Sequence, residues 1–275
     1  MWMTIQKEAA QMVRDEPALE RYLRKTILQY DTFERALATH LACKLGNDSV
    51  SVETWDGLFA TLLRTHTDSL GKCLRADINA ILERDPACEG LAHAFLNFKG
   101  FLGLEASRVA NVLWHEGRKV LALAIQSRVS EVFGMDIHPA CKLGQGIMVD
   151  HATCVVFGET AVVGDNCTFL HGVTLGGTGK ERGDRHPKLG CGILVGAGTM
   201  ILGNISVGDG CKIAAGSVVL RSLPPHTTAA GVPARVVGVA TEKRPSEEVD
   251  QNLKQVIFHK DNGNGTGNRE GSEGG

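Results

Sequence analysis

From the start of the chain to about residue 133, apolar residues recur at helical spacing. Leu102, Ala106, Val109 and Leu113 step by four, three and four residues, and Leu121, Ile125, Val129 and Val132 by four, four and three. This predicts two amphipathic helices with a break at Gly117. Earlier helices are bounded by "DEP" at 15–17, where Pro17 suits a first helical turn, and by "RDP" at 84–86. Pro86 disfavours the helical region for the residue before it, so Asp85 is expected at a helix end, pointing out of it.

Past residue 136 the period becomes six. Apolar residues fall at Ile137, Leu143, Val149 and Val155, then at Phe157, Val163, Phe169 and Leu175. They resume at Leu189, Val195, Ile201, Val207, Ile213 and Val219, and Gly or Ala follows most of them. Such hexads predict a parallel β-helix, each repeat a short strand and a turn with the apolar residue inward. The expected fold class is α+β by segment: an N-terminal α-helical domain over 1–135 and a β-helix of hexapeptide repeats over 136–240. A Gly-rich tail over 241–275 follows, expected to be disordered from 261.

The pattern breaks twice. Between Val155 and Phe157 it slips by two residues, and from Leu175 to Leu189 it skips 14 residues where 6 would do. The second break, over 176–188, is a loop thrown out of one corner. Its "LGGTGKERGDRHPK" fails both the Walker pattern, because Glu181 follows Gly179–Lys180, and the dinucleotide fingerprint, because Arg182 stands where the third glycine belongs. The loop offers backbone that a ligand can approach closely, and Lys180, Arg182, Arg185, His186 and Lys188 for an anion.

Composition narrows the partners. Twenty-nine basic against 31 acidic residues give a net charge of −2, so neither nucleic acid nor a membrane surface is implied. No apolar run is long enough to span a bilayer, and the first residues lack an apolar signal core, so a cytoplasmic protein is expected. Its eight scattered cysteines are then free thiols rather than disulfides.

With three hexads per coil, residues 18 apart stack, or 20 apart across the slip. His151 and His171 are therefore expected on adjacent rungs, about 4.8 Å apart. Asp136 precedes His151 by fifteen residues, near a full coil, which is expected to bring its carboxylate to the imidazole. An Asp on one ring nitrogen fixes the tautomer and leaves the other free to take a proton. The histidines at 138, 151, 171 and 186 form no close pair, so no metal site is expected, and Cys154 has only His151 nearby to activate it.

The stretches carrying these residues resemble a known family. "RADINAILERDPA", "DIHPACKLGQGIMVDHAT", "GETAVVGDN", "HGVTLGGTGKERGDRHPK", "ILGNISVGDGCKIAAGSVV" and "PPHTTAAGVPARVVG" are similar to the serine O-acetyltransferases among the hexapeptide-repeat acyltransferases, over about residues 8–240. The resemblance implies a left-handed β-helix, homotrimers or dimers of trimers with active sites in grooves between chains, and direct acetyl transfer from acetyl-CoA to L-serine, the first step of cysteine biosynthesis. It implies no permanently bound cofactor and feedback inhibition by L-cysteine. Carried over by residue, His151 is the general base and Asp136 orients it. Asp85 and Asp150 hold the serine amine, and Arg185 and His186 its carboxylate. Gly177, Thr178, Ala197 and Ala215 line the CoA groove. Cys154 stands where the family usually has Gly.

Two other readings differ in substrate or class: an acetyl-CoA transferase acting on a sugar hydroxyl or an amine, and a non-catalytic β-helix scaffold. The two charges of an amino acid suit Asp85, Asp150 and Arg185 better than a sugar does, and a scaffold would not need an Asp136–His151 pair. The family's partner, O-acetylserine sulfhydrylase, is bound through a C-terminal isoleucine and its carboxylate, whereas this chain ends in Gly275. A glycine cannot fill an apolar pocket. The chain is therefore expected to bind the sulfhydrylase weakly or not at all. Titration of the two purified proteins checks this: submicromolar binding lost on removing residues 262–275 would contradict it.

Overall fold

The structure is a computed structural model that describes residues 1–179, 182–240 and 245–249. Its first half is helical: α1 (Trp2–Asp15), α2 (Glu20–Leu23), α3 (Phe33–Leu45), α4 (Val52–Thr65), α5 (Thr67–Arg84), α6 (Leu91–Asn97), α7 (Lys99–His115) and α8 (Lys119–Phe133). A 3₁₀ turn (Pro17–Leu19) precedes α2, and a π turn (Arg24–Leu28) follows it. Thr32 and Ser51 cap α3 and α4, their hydroxyls accepting from the Arg35 and Thr54 N–H groups at 3.3 Å. Trp2, Phe33, Phe95 and Phe101 pack ring to ring at the centre of this half. The two predicted helices are α7 and α8, with Gly117 in the turn between them at φ +80°. Gly134, left-handed at φ +72°, ends α8 and turns the chain into the first strand.

The second half is a parallel β-helix with three sheets. The first holds strands Met135–Ile137, Val155–Phe157, Thr174–Gly176, Met200–Leu202 and Val218–Val219. The second runs through Lys142–Leu143, Val162–Val163, Lys188–Leu189 and Ser206–Val207. The third stacks Met148–Val149, Thr168–Phe169, Leu194–Val195, Lys212–Ile213 and Thr227–Gly231, and is closed by an antiparallel strand, Ala234–Val239. Ile137, Phe157, Leu175, Ile201 and Val219 point inward on successive coils of the first sheet, all buried, as the hexads predict.

Register locates both interruptions. Asp136 pairs with Val156, 20 residues on, whereas Val156 pairs with Thr174, 18 on. The two extra residues lie in the corner 150–154, between the third and first sheets. Val155 shares a strand with Phe157, so it is not a step of the hexad. The loop coil is longer: Thr174 pairs with Met200 and Val162 with Lys188, both 26 on. Lys180 and the tail's expected disorder lie outside the described residues. No described helix is long and apolar enough to cross a membrane.

Buried charge joins the halves. Arg108 of α7 places Nε and Nη2 2.8 and 2.7 Å from Oδ2 of Asp77 on α5, and Nη2 also donates to the Gly144 carbonyl at 2.6 Å. Oδ1 of Asp77 accepts from the Ile147 N–H at 2.7 Å. At the end of α5, Nη1 of Arg84 donates to the Gly146 carbonyl at 3.0 Å and to Oγ1 of Thr168 at 3.1 Å. Gly100, in the first turn of α7, lies so close to the β-helix that a Cβ there would fall on the Val149 carbonyl oxygen. The bundle therefore sits on the first coil without slack.

Glu105 completes this cluster. It is fully buried, with Oε2 3.5 Å from Nε of Arg108 and its carboxyl group beside that of Asp77. Burial and the adjacent Asp77 push its pKa well above the usual carboxylate range. Burial raises Asp77 too, but Asp77 has Arg108 and the Ile147 N–H to favour its charge, so Glu105 is the carboxyl pushed further toward its neutral form. A raised acid favours the fold below its unfolded pKa and loses that contribution as pH rises through the elevated folded value. Glu105→Gln, which mimics the neutral form, should match wild-type stability in acid and flatten the decline that wild type shows as pH rises above the ordinary carboxylate range. Asp77→Ala should cost about 3–5 kcal/mol by breaking the buried pair with Arg108 and leaving the Ile147 N–H without its acceptor. Thermal unfolding of both variants across pH checks each outcome.

Candidate active site

The lengthened corner carries the first group of candidate residues. His151, Ala152 and Cys154 have φ of 57°, 56° and 60°, the left-handed region, which costs a non-glycine residue about 1–2 kcal/mol. Cys154, where the family usually has Gly, adopts the backbone that glycine favours, with its thiol exposed. The turn leaves His151 largely exposed, its side chain 73% accessible, with Nε2 3.6 Å from Oδ2 of Asp150. Its ring meets His171, one coil on, edge to face at 5.8 Å between centroids. The expected stack is therefore present.

Asp150 is half-buried. Burial raises its pKa and the nearby Asp85 raises it further, while His151 and His171 pull it down. Asp85 caps the C-terminus of α5 with φ −100° and ψ 108°, off the helix as Pro86 requires, and its Oδ1 accepts from the Ala87 N–H at 2.8 Å. Asp85, Asp150 and His151 line one recess of about 330 Å³. His93 and Lys99 line it too, and the Lys99 ammonium donates to Oγ1 of Thr153 at 2.6 Å. Sequence reasoning missed these two: each is a single polar residue in a helical stretch, and the one available sign was Lys99 beside Gly100 at a helix start.

A second group surrounds the root of the ejected loop. Oγ1 of Thr160 accepts from the Arg185 and His186 N–H groups at 3.0 and 3.1 Å, and its own proton goes to Nδ1 of His186 at 2.9 Å. The Thr160 N–H also points at Nδ1, at 3.1 Å. Nδ1 is thus an acceptor, and the neutral ring carries its proton on Nε2. Burial and the charges of Arg185 and Lys188 lower the pKa of His186. Gly158 must be glycine, because a Cβ there would overlap the His186 ring. Arg185 is held by Oε2 of Glu159 at 2.8 Å and donates to the Gly183 carbonyl at 3.0 Å. Gly177 packs beside Arg185, and Thr178 lies near Gly203.

Asp136 stands apart from both groups, on the first strand of the first sheet. The coil here is 20 residues long, so a spacing of fifteen leaves Asp136 on the strand face opposite Val156, while His151 stands on the corner. Its Oδ1 accepts from Nε2 of Gln126 at 2.6 Å, and it lines a different recess, with Ser127, Ser130 and Glu131. The expected contact within one chain is corrected accordingly.

The candidates therefore divide across the first sheet. Asp85, Asp150, His151 and the corner column of His171, Ala197 and Ala215 lie along its margin with the third sheet; Gly198 and Gly216 donate to the His171 and Ala197 carbonyls at 2.9 and 2.7 Å. Gly177, Thr178, Arg185 and His186 lie along its margin with the second sheet, and Asp136 on the sheet itself. The strands between are roughly 10 Å of chain. One margin offers two carboxylates and a solvent-facing imidazole, the other a guanidinium and an imidazole N–H. Among the described residues no three His, Cys, Asp or Glu side chains are grouped to hold a metal.

Two family models match the chain: "Serine acetyltransferase, N-terminal" over residues 1–106 and "Bacterial transferase hexapeptide (six repeats)" over residues 186–221. A probable serine acetyltransferase of Oryza sativa is 51% identical over 91% of this chain and 82% of its own length. A Brucella abortus serine acetyltransferase solved in complex with coenzyme A superposes with a TM-score of 0.85 at 48% identity, covering 87% of this chain and 95% of that one. Soybean serine acetyltransferase complexed with serine gives 0.84 at 52% identity, over 86% and 97%. Helical half and hexapeptide coils alike fall within the regions matched, and the chain belongs to the serine acetyltransferase family.

Proposed function

We propose that this chain transfers the acetyl group of acetyl-CoA to the hydroxyl of L-serine, in grooves where one copy supplies the margin bearing His151 and the next supplies the margin bearing Arg185. The observation that carries this reading is the division of the candidate residues between two margins of one sheet. The two relatives solved with serine and with coenzyme A support the substrates. A ring of copies packed side by side, a homotrimer or a pair of trimers, brings unlike margins together at every interface.

In that groove the serine ammonium lies between Asp85 and Asp150, and its carboxylate is held by Arg185 and the Nε2–H of His186. His151 takes the hydroxyl proton as the serine oxygen attacks the thioester carbonyl carbon. The adduct collapses by breaking the carbon–sulfur bond, and the proton on His151 passes to the departing CoA sulfur. Asp136, reaching His151 from the adjacent copy, orients the imidazole. Gly177 and Thr178 on one copy and Ala197 and Ala215 on the other line the CoA channel. A sugar acceptor would bring no carboxylate for Arg185, so serine is the better match.

His151→Ala should lower kcat by at least ~10², the usual worth of a general base, and leave the assembly intact. Arg185→Ala should raise KM for serine. Co-expressing the two variants tests the shared groove. Random mixing in a ring pairs an intact His151 margin with an intact Arg185 margin in about one groove in four, so roughly a quarter of wild-type activity should return. Mixed assemblies no more active than the separate variants would sink the proposal.

L-Cysteine differs from serine by sulfur for oxygen and presents the same two charges. It should inhibit in competition with serine, and Arg185→Ala should weaken both to similar extents. Steady-state inhibition kinetics decide this, and cysteine inhibition that survives a collapse of serine binding would rule out a common site. Because burial raises the pKa of Asp150, kcat/KM for serine should fall toward acid pH as that carboxylate takes a proton and stops attracting the amine.

A further inference from the structure

His151 stands on a corner that needs holding. His151, Ala152 and Cys154 are all left-handed, and such backbone persists only where its surroundings over-determine it. The holding contacts converge on Thr153. Its N–H donates to the His151 carbonyl at 2.6 Å, and its own carbonyl accepts from the Gly172 N–H, one coil on, at 2.8 Å. Its hydroxyl donates to the same His151 carbonyl at 3.1 Å and accepts from the Lys99 ammonium at 2.6 Å.

Chemistry fixes the direction of the last two bonds. An ammonium can only donate, so Oγ1 of Thr153 is the acceptor toward Lys99, and its one proton is left for the His151 carbonyl. The result is a polarised chain, from the Lys99 N–H to the Thr153 O–H to the His151 carbonyl, with a full charge at its head. Lys99 is itself placed without slack. It is the first residue of α7, and Gly100 beside it lies against the Val149 carbonyl with no room for a Cβ. The helical half thus reaches the corner through one partly buried side chain, in the recess that also holds Asp85, Asp150 and His151.

We propose that Lys99 is a positioning residue for acetyl transfer, fixing through Thr153 the corner from which the His151 imidazole meets the substrate hydroxyl, a role that rests on the general-base reading of His151. The imidazole is largely exposed, and its neighbours are the edge of His171 and the Asp150 carboxylate at 3.6 Å. Little packing holds the ring, so its aim is set by the backbone beneath it. A misplacement of about 1 Å at a reacting group can cost roughly 10²-fold in rate. The same ammonium has a second conceivable role, balancing the charges of Asp85 and Asp150 across the recess. The two roles predict different patterns, because removing the Thr153 hydroxyl breaks the chain and leaves the charge in place.

Substitutions in the full chain, in its native assembly, separate them. Lys99→Met keeps the stem and removes the donor, Thr153→Val keeps the branched shape and removes the hydroxyl, and Thr153→Ser keeps the hydroxyl. Lys99→Met and Thr153→Val should each lower kcat about tenfold while leaving KM for acetyl-CoA and the assembly unchanged. The double variant should be no slower than either single one, since both break the same chain. Lys99→Arg and Thr153→Ser should recover most of kcat. Wild-type kcat in Thr153→Val, or losses that multiply in the double variant, would overturn the positioning role. A raised KM for serine in Lys99→Met beside unaltered kinetics in Thr153→Val would overturn it in favour of charge balance. His151→Ala, measured alongside, tells the two levels apart. If it keeps turnover, the general-base reading falls and the positioning role with it. If it is inactive while Lys99→Met and Thr153→Val keep kcat, the positioning role alone falls.

Discussion

The contact on which the site rests most heavily is the buried pair between Arg108 and Asp77. Neither residue touches a candidate substrate position. Between them they satisfy an N–H and a carbonyl on the first β-helix coil, at Ile147 and Gly144, and bind α7 to α5. Without that join, two halves with different periods would have no reason to meet in one orientation. With it, the ends of α5 and α7 are delivered to the lengthened corner: Asp85 from one, Lys99 and Gly100 from the other. Desolvating a guanidinium is expensive, and the geometry answers with two hydrogen bonds from Arg108 to Asp77, a backbone carbonyl and a second carboxyl nearby.

The same economy of charge marks the two margins of the first sheet. The carboxylates Asp85 and Asp150 face a recess that already holds histidines and Lys99, so their mutual repulsion is softened before any amine arrives. On the other margin Thr160 fixes the His186 tautomer with its hydroxyl and its backbone N–H, and Glu159 holds Arg185 by an ion pair. Both groups are oriented in advance by neighbours of fixed position, which reduces the ordering that substrate binding would otherwise demand.

Much of this was legible in the chain. The hexads located the inward residues, the 14-residue skip located the loop, and a spacing of 20 placed His151 over His171. Pro86 put Asp85 at the helix end for a reason of local sterics, which is why that inference transferred intact. The Asp136–His151 contact did not, because a difference of fifteen residues says nothing about which sheet each end occupies. The two extra residues, moreover, sit before Val155 rather than after it. The Arg108–Asp77–Glu105 cluster left no trace either. Residues 31 apart on different helices meet through tertiary packing, and packing has no period. Gly100 and Gly158 read as ordinary glycines until the Val149 carbonyl and the His186 ring are seen against them.

The anchoring of α5 has a mechanical side. Its 18 residues make a rod of about 27 Å, with Arg84 pinned to the β-helix at one end and the α4–α5 turn near His66 at the other. The pivot lies beside the site, so the leverage runs unfavourably for disturbance. A sideways displacement of about 2 Å at the far end turns the rod by only about 4° and moves the Asp85 carboxylate by a few tenths of an ångström. The outer end of the bundle can thus be loaded, repacked or altered by drift in its sequence while the recess keeps its shape. In engineering terms the helical half is a damped mount, stiff where it meets the corner and tolerant where it meets the outside.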